Sequence, residues 1–163
     1  MLRHVFKKTI DYALPPTFDR ISWEDAFEFY GTDKPDLRFG LQMQDAAFMA
    51  DLSDFNAFKA GAEHAGKDIP RQKRSAVKVL VVKGVAEKYS RKMIESLEER
   101  AKIYKAKGLA WMKVSAAGLF EGGIAKFFAG KETEILPKLN AAAGDLLLFV
   151  ADEKWKTACV ALG

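Results

Sequence analysis

"SAVKVLVVKGVAEKYSRKMIESLEERAKIYKAKGLAWMKVS", residues 75–115, holds a strand, a helix and a strand in one run, and its reading decides the fold. Val77, Val79, Val81 and Val82 give the strongest strand signal in the chain, because β-branched side chains fit a pleated surface. Ser90 is a good N-cap. After it, Met93, Ile94, Leu97, Ala101 and Tyr104 recur at helical spacing and make one apolar face. Gly108 is the expected helix stop. "LAWMKVS" (109–115) then alternates as a strand.

Towards the C-terminus, "IAKFFAG" (124–130) fits neither period. "KETEILPKLNA" (131–141) reads as a helix that Pro137 should break or kink. "DLLLFVA" (145–151) is a buried strand, and "EKWKTACVAL" (153–162) a final helix with Trp155, Ala158, Cys159 and Leu162 inward. Towards the N-terminus, "KDIPRQKR" (67–74) is a polar, basic turn, and the weakly alternating "FNAFKAGAEH" (55–64) is expected to be a strand. From residue 55 the order is therefore strand, strand, helix, strand, short helix, strand, helix. Two ββα units predict a two-layer α+β domain, its largely antiparallel sheet covered on one face by two helices.

The first 54 residues read differently. "MLRHVFKKTIDYALPP" carries an apolar stripe at Leu2, Val5, Phe6 and Ile10 with no cap before it, as if it began in mid-helix. Pro15 and Pro16 end that segment. "SWEDAFEFYG" (22–31) is a short helix capped by Ser22 and closed by Gly31, with Trp23, Ala26, Phe27 and Tyr30 on one face. "YGTDKPDLRFG" (30–40) cannot continue it, because Pro35 pushes Lys34 towards extended geometry. That segment is a loop or short extended run carrying Asp33, Lys34, Asp36 and Arg38; its plain reading is an exposed linker. "DAAFMADL" (45–52) is a short helix capped by Gln44 or Asp45.

Composition sets the outer limits. The chain of 163 residues is 49% hydrophobic and 29% charged, values of a folded domain. Its 26 basic and 22 acidic residues leave +4, which suits contact with a polyanion without requiring it. A single cysteine excludes an intrachain disulfide framework, and with two histidines it argues against zinc. No apolar run approaches the roughly 18 residues of a membrane span, and no signal-peptide core is present, so a soluble cytoplasmic protein is the expectation.

Catalytic chemistry is hard to find. "GLFEGG" (118–123) reads as a turn, since its spacing does not aim backbone amides at a phosphate. Cys159 lies on an apolar helix face and reads as a packed thiol rather than a nucleophile. His4 and His64 read as surface histidines. Glu98 and Glu99 share their helix with Lys102 and Lys105, the pattern of helix salt bridges. The carboxylates of Asp33 with Asp36, and of Glu132 with Glu134, have no evident partner chemistry. Lys67, Arg71, Lys73 and Arg74, with Arg91 and Lys92 at the start of the long helix, could track a phosphate backbone. No aromatics are interleaved for base stacking, so a solvated loop is the plainer reading.

The loop "YGTDKPDLRFG" closely resembles "YGSDKPDLRFG", a signature of bacterial-type aspartyl-tRNA synthetases, with Thr32 for Ser as the one change. In that family it precedes the extra domain inserted between the second and third class II motifs. "HVFKKTIDYALP" resembles the segment leaving motif 2, and "ISWEDAFEFYG" the helix before the signature. "AKGLAWMKV", "IAKFF" and "GDLLLFVAD" are similar to the inserted GAD domain, which a tRNA-dependent amidotransferase subunit also carries. There are departures: "VVKGV" lacks the family's proline, Gly122–Gly123 replace a Gly-Pro, and the "KDIPRQKR" insertion is long.

The resemblance implies a ββαββα GAD domain at 45–163 and a class II flank at 1–44. It implies a parent aspartate–tRNA ligase, a homodimer that uses ATP and Mg2+ to attach aspartate to tRNA. The arginines of motifs 2 and 3 and the anticodon-reading domain fall outside this chain, so no catalytic residue is expected within it. Asp33, Lys34, Asp36 and Arg38 are expected to form ion pairs across the junction or to shape the rim where the tRNA acceptor end enters. Two alternatives stand beside this reading: the GAD portion of the amidotransferase subunit, and a free-standing basic RNA-binding module.

Overall fold

Five strands form one antiparallel sheet: β1 (Gln44–Asp45), β2 (Ala76–Val82), β3 (Ala110–Val114), β4 (Phe120–Glu121) and β5 (Leu146–Asp152). Their spatial order is β1-β2-β5-β3-β4 in the computed structural model, which describes residues 1–65 and 67–163. The α+β class and the antiparallel sheet are those expected. β2 and β5 pair along their whole length, Ala76 opposite Asp152 through to Val82 opposite Leu146. The remaining helices are α1 (Leu2–Ile10), α2 (Trp23–Tyr30), α3 (Asn56–Gly61), α4 (Arg91–Ile103), α5 (Glu132–Lys138) and α6 (Trp155–Leu162).

The sheet is buried on both faces, not one. Alternation sends Val77, Val79 and Val81 of β2, with Leu147 and Phe149 of β5, onto one side. There they meet Phe58 of α3, Ile135 of α5, and Met49 and Phe128 from short helical turns. The other side carries Ala76, Leu146, Leu148 and Val150 against Ile94 and Ala101 of α4 and the inward row of α6. That row is the expected one: Trp155, Ala158, Cys159 and Leu162 are all buried. The near-continuous apolar runs of β2 and β5 are what two-sided burial produces.

Several expectations are corrected. Residues 56–61 are the helix α3 rather than a strand. Phe55, Phe58 and Gly61 recur every three residues, which puts Phe58 5.3 Å from Phe149. Gly61 lies against β2 so closely that a Cβ there would sit 2.8 Å from Val77 Cγ2. The first strand is instead Gln44–Asp45, paired with Val79 and Lys78. The following segment, 47–52, is a 3-10 turn with Ala46 at its N-cap rather than Gln44 or Asp45; Asp45 Oδ1 accepts from the Ala47 amide at 2.8 Å just before it. α4 stops at Ile103, five residues before Gly108, and Lys105 takes the left-handed conformation at φ 71°. Pro137 is accommodated within α5, which ends at the next residue. The charged loop contains one 3-10 turn, Leu37–Phe39.

Candidate functional site

α2 begins where the Ser22 hydroxyl accepts from the Asp25 amide at 3.0 Å, and ends at Gly31 in the left-handed region. Glu24, Asp25 and Glu28 fall on one side of this helix. All three meet the segment 71–78, the end of the basic turn 67–74 and the start of β2. Arg71 donates to Asp25 Oδ1 at 3.0 Å, Gln72 to Glu24, and the Lys78 ammonium to Glu28 Oε1. Hydrogen bonding with Ser22, then with Arg71, holds the Asp25 carboxyl below the usual carboxylate range. The second Glu28 oxygen accepts from the Trp155 indole at 2.5 Å. Lys78 is 1% exposed, a charge inside the sheet between the apolar positions Ala76 and Leu80. Burial of so strongly hydrated a group requires a paired, hydrogen-bonded anion, and Glu28 is that anion.

Cys159 lies beside this cluster. Burial, reinforced by Glu28 and Asp45 and opposed by Lys78, pushes its thiol up to about 12. It is a packed thiol, as expected. His64 and Ser75 close the intervening loop reciprocally: the His64 amide donates to Ser75 Oγ at 3.2 Å, and the Ser75 amide donates to His64 Nδ1 at 3.3 Å. With both groups engaged by backbone, this is a loop clasp rather than a nucleophile and its base. His64 is thus half-buried and bonded, not a free surface side chain.

The six basic candidates separate in space and in state. Arg71 is committed to Asp25. Arg74 donates through Nε to the Ile69 carbonyl at 2.6 Å, and its own carbonyl accepts from the Trp155 amide. Arg91 pairs with Glu95 one turn along α4 at 3.1 Å. Lys67, Lys73 and Lys92 are exposed. The 67–74 group precedes the first residue of β2 and the 91–92 group follows its last. Seven residues of strand span about 20 Å, so the two groups stand at opposite ends of β2.

In the charged loop, the Arg38 guanidinium forks onto Asp36 at 2.8 and 2.5 Å, and Asp36 also accepts from the Arg38 amide. That fork holds the Asp36 carboxyl low and raises Arg38. The pair is internal to the loop. Lys34 donates its amide to Thr32 Oγ1 at 3.3 Å, and both Asp33 and Lys34 lie at the molecular surface. The loop's two ends are tied together, since Met43 donates to the Phe29 carbonyl at 2.8 Å and Gln42 to the Tyr30 hydroxyl at 2.6 Å.

Besides a larger cleft of about 800 Å³ around Lys88, Lys113 and Glu121, two smaller cavities flank the sheet. One of about 380 Å³ opens between α3 and the start of β3, walled by Phe55, Phe58, Phe149 and Ile124, with the Lys107–Glu153 pair (2.8 Å) at its rim. The other, about 210 Å³, is polar and holds Glu28, Asp45, His64, Arg71 and Arg74. Among the described residues no cluster of His, Cys, Asp and Glu could hold a metal, and no helix is long and apolar enough to cross a membrane. Sequence reasoning missed Glu28, Lys78 and Trp155 as a group. The available signal was a lysine in an inward position of the strongest strand.

Comparison with known proteins adds a family and several relatives. The GAD domain model matches residues 70–162. The Treponema denticola protein named Aspartate--tRNA(Asp/Asn) ligase is 58% identical over 164 residues, covering 100% of this chain and 26% of that protein. The Bacillus licheniformis Aspartate--tRNA ligase is 48% identical over 166 residues, again 100% of this chain and 26% of its own length. The Treponema pallidum Aspartate--tRNA(Asp/Asn) ligase is 44% identical over 163 residues, 100% of this chain and 25% of its length. The chain spans about a quarter of the length of the curated relatives it matches.

Proposed function

The chain belongs to the GAD domain family, and on that premise we propose that it is the insertion-domain portion of an aspartate–tRNA ligase. Its parent activates aspartate with ATP and Mg2+ and transfers it to tRNA; this portion is a non-catalytic, accessory unit. The observation that carries the reading is the extent of the match. Relatives named as aspartate–tRNA ligases align with the chain from end to end, the first 69 residues included, and not only with the stretch 70–162. An amidotransferase subunit or a free-standing RNA-binding module would share the domain without that flank.

The ends of α2 and α6 lie against each other, a Cβ on Gly31 lying 2.9 Å from Gly163 Cα. Within the expected flank 1–44, α1 is the part that fits a separate body: its Leu2, Val5, Phe6 and Ile10 are all exposed. Covering four such side chains is worth roughly 1.5–3 kcal/mol each, and a catalytic body is the natural cover. The expected homodimer and a cytoplasmic location come with the parent. Contact with tRNA falls to the exposed Lys67, Lys73 and Lys92, with Arg71, Arg74 and Arg91 already engaged; such contact is weak, sequence-indifferent and shallow in its salt dependence.

The test is paired. Purified parent should charge tRNA with aspartate, and this chain alone should show no aspartate-dependent ATP–pyrophosphate exchange. A parent that fails to charge tRNA would overturn the ligase reading. Exchange above buffer background by the chain alone would overturn its accessory role.

A further inference from the structure

We propose that α2 is mechanically part of the inserted body, latched to it by Glu28, so that the hinge lies at residues 11–21 and not in the DKPDLRF loop. The identity of the second body rests on the ligase reading; the latch itself rests on this chain's own contacts. One side of α2 supplies three polar links to the segment 71–78, with separations in sequence of 46, 48 and 50 residues. The apolar side is equally engaged. Phe27 is buried, the Trp23 ring lies 4.5 Å from Phe27 and 6.3 Å from Trp155, and the Lys156 ammonium sits over both Trp23 and Phe27.

Lys78 makes the docking obligatory rather than optional. Its ammonium is closed inside the sheet, and Glu28 is its salt-bridge partner. Asp45 stands opposite Lys78 in the β1–β2 register, but one of its oxygens is committed to the Ala47 amide. Arg71, also nearby, is a like charge. If α2 swung away, Lys78 would lose its ion pair and Phe27 its buried site, two losses that the docked arrangement avoids.

The DKPDLRF loop then leaves the body and returns to it. Its start, Gly31, touches α6, and its end, Met43, is 1% exposed and bonded back to Phe29. A loop of this length with joined ends is an Ω-type excursion rather than a tether. Residues 11–21 have the opposite character. They are exposed apart from the half-buried Leu14, and Pro15 and Pro16 have no amide hydrogen to donate. The hydrogen bonds this stretch makes run back to α1, from the Tyr12 amide to Phe6 and from Arg3 to the Pro15 carbonyl.

Hydrogen exchange on the intact 163-residue chain tests this. The amides of residues 26–31 should show protection of the same order as those of β2 and β5, while residues 13–21 exchange like open chain. α2 exchanging as fast as 13–21 would overturn the proposal. Glu28→Ala should lower the protection of α2 relative to β5 by about tenfold or more. Where that variant is too unstable to measure, Glu28→Ala with Lys78→Met removes the stranded charge; β2 and β5 should regain protection and α2 should not. α2 remaining as protected as β5 in either variant would refute the latch. Loss of charging activity in the parent would leave these outcomes untouched, so failure of the ligase reading and failure of the latch are separable.

Discussion

Gly31→Ala and Gly40→Ala form a matched pair that isolates one contact. Both glycines sit in the left-handed region, at φ 72° and φ 64°. Placing an L side chain there costs about 1–2 kcal/mol at either position. Their surroundings differ. A Cβ at Gly40 would meet nothing within 4 Å, whereas one at Gly31 would lie 2.4 Å from the Cys159 carbonyl oxygen and 3.1 Å from its carbon. Those are backbone atoms of α6, in a helix whose inward row is fully packed, so they cannot give way as a flexible side chain would. Overpacking of this kind adds about 1–3 kcal/mol. Gly40→Ala should therefore lose about 1–2 kcal/mol and Gly31→Ala about 2–5 kcal/mol. Urea titrations followed by far-UV circular dichroism measure both, with the midpoint falling and the slope unchanged. Equal losses within about 0.5 kcal/mol would refute the claim that the ends of α2 and α6 are held in contact.

Two further outcomes follow from buried titratable groups. With its thiol raised to about 12 and the side chain fully enclosed, Cys159 should react with a thiol reagent at pH 8 only as fast as the chain opens. Prompt stoichiometric labelling of the native protein would contradict its packing. Asp145 is buried, which alone would raise its pKa, but it accepts from the Ala142 and Gly84 amides at 2.8 and 2.9 Å and pairs with Lys83 at 3.0 Å, and the net shift is downward. A carboxyl depressed on folding adds stability above its unfolded pKa of about 3.9, and that stability is lost as pH falls through the folded value. Asp145→Asn should cost about 1–3 kcal/mol at pH 7 and flatten the acid limb of stability against pH. Stability–pH curves that stay parallel would show that Asp145 is not the source of that limb.

The elements legible in the sequence were those whose core positions follow a single period. β2, β5, α4 and α6 have inward rows that a reader can trace, and each was placed to within a few residues. Residues 55–64 misled because Ala57, Ala60 and Gly61 blur the pattern. A strand's alternation and a helix's three-residue recurrence both fit so few large side chains, and the larger weight of Phe55 and Phe58 decided for the helix. Two-sided burial was also written in the chain. "LLLFV" in β5 is apolar at every position, and a sheet covered on one face alone would leave every second residue in water. The end of α4 was less accessible. Gly108 is the residue type that favours a left-handed cap, yet Lys105 adopts that conformation, because Ala106 returns its amide to the Ala101 carbonyl at 3.2 Å and draws the turn closed early.

The basic turn resists the same reading. A count of local charges makes 67–74 a phosphate-binding candidate, because the acids that answer it lie 46 and 48 residues away on α2. No local window contains both halves. What the sequence does contain is a demand: Lys78 stands in an inward row between Ala76 and Leu80, and a lysine so placed must have an anion delivered to it. The helix with three acids on one side, α2, is the element that can meet that demand and still bury Phe27. Docking engages Arg71 with Asp25, while Arg91 and Arg74 are engaged locally, by Glu95 within α4 and by the Ile69 carbonyl. The exposed members are Arg91 and three lysines, Lys67, Lys73 and Lys92, and the lysines are point charges without the planar fork that gives arginine its bidentate grip on phosphate. Point charges of this kind do not distinguish one phosphate-bearing partner from another.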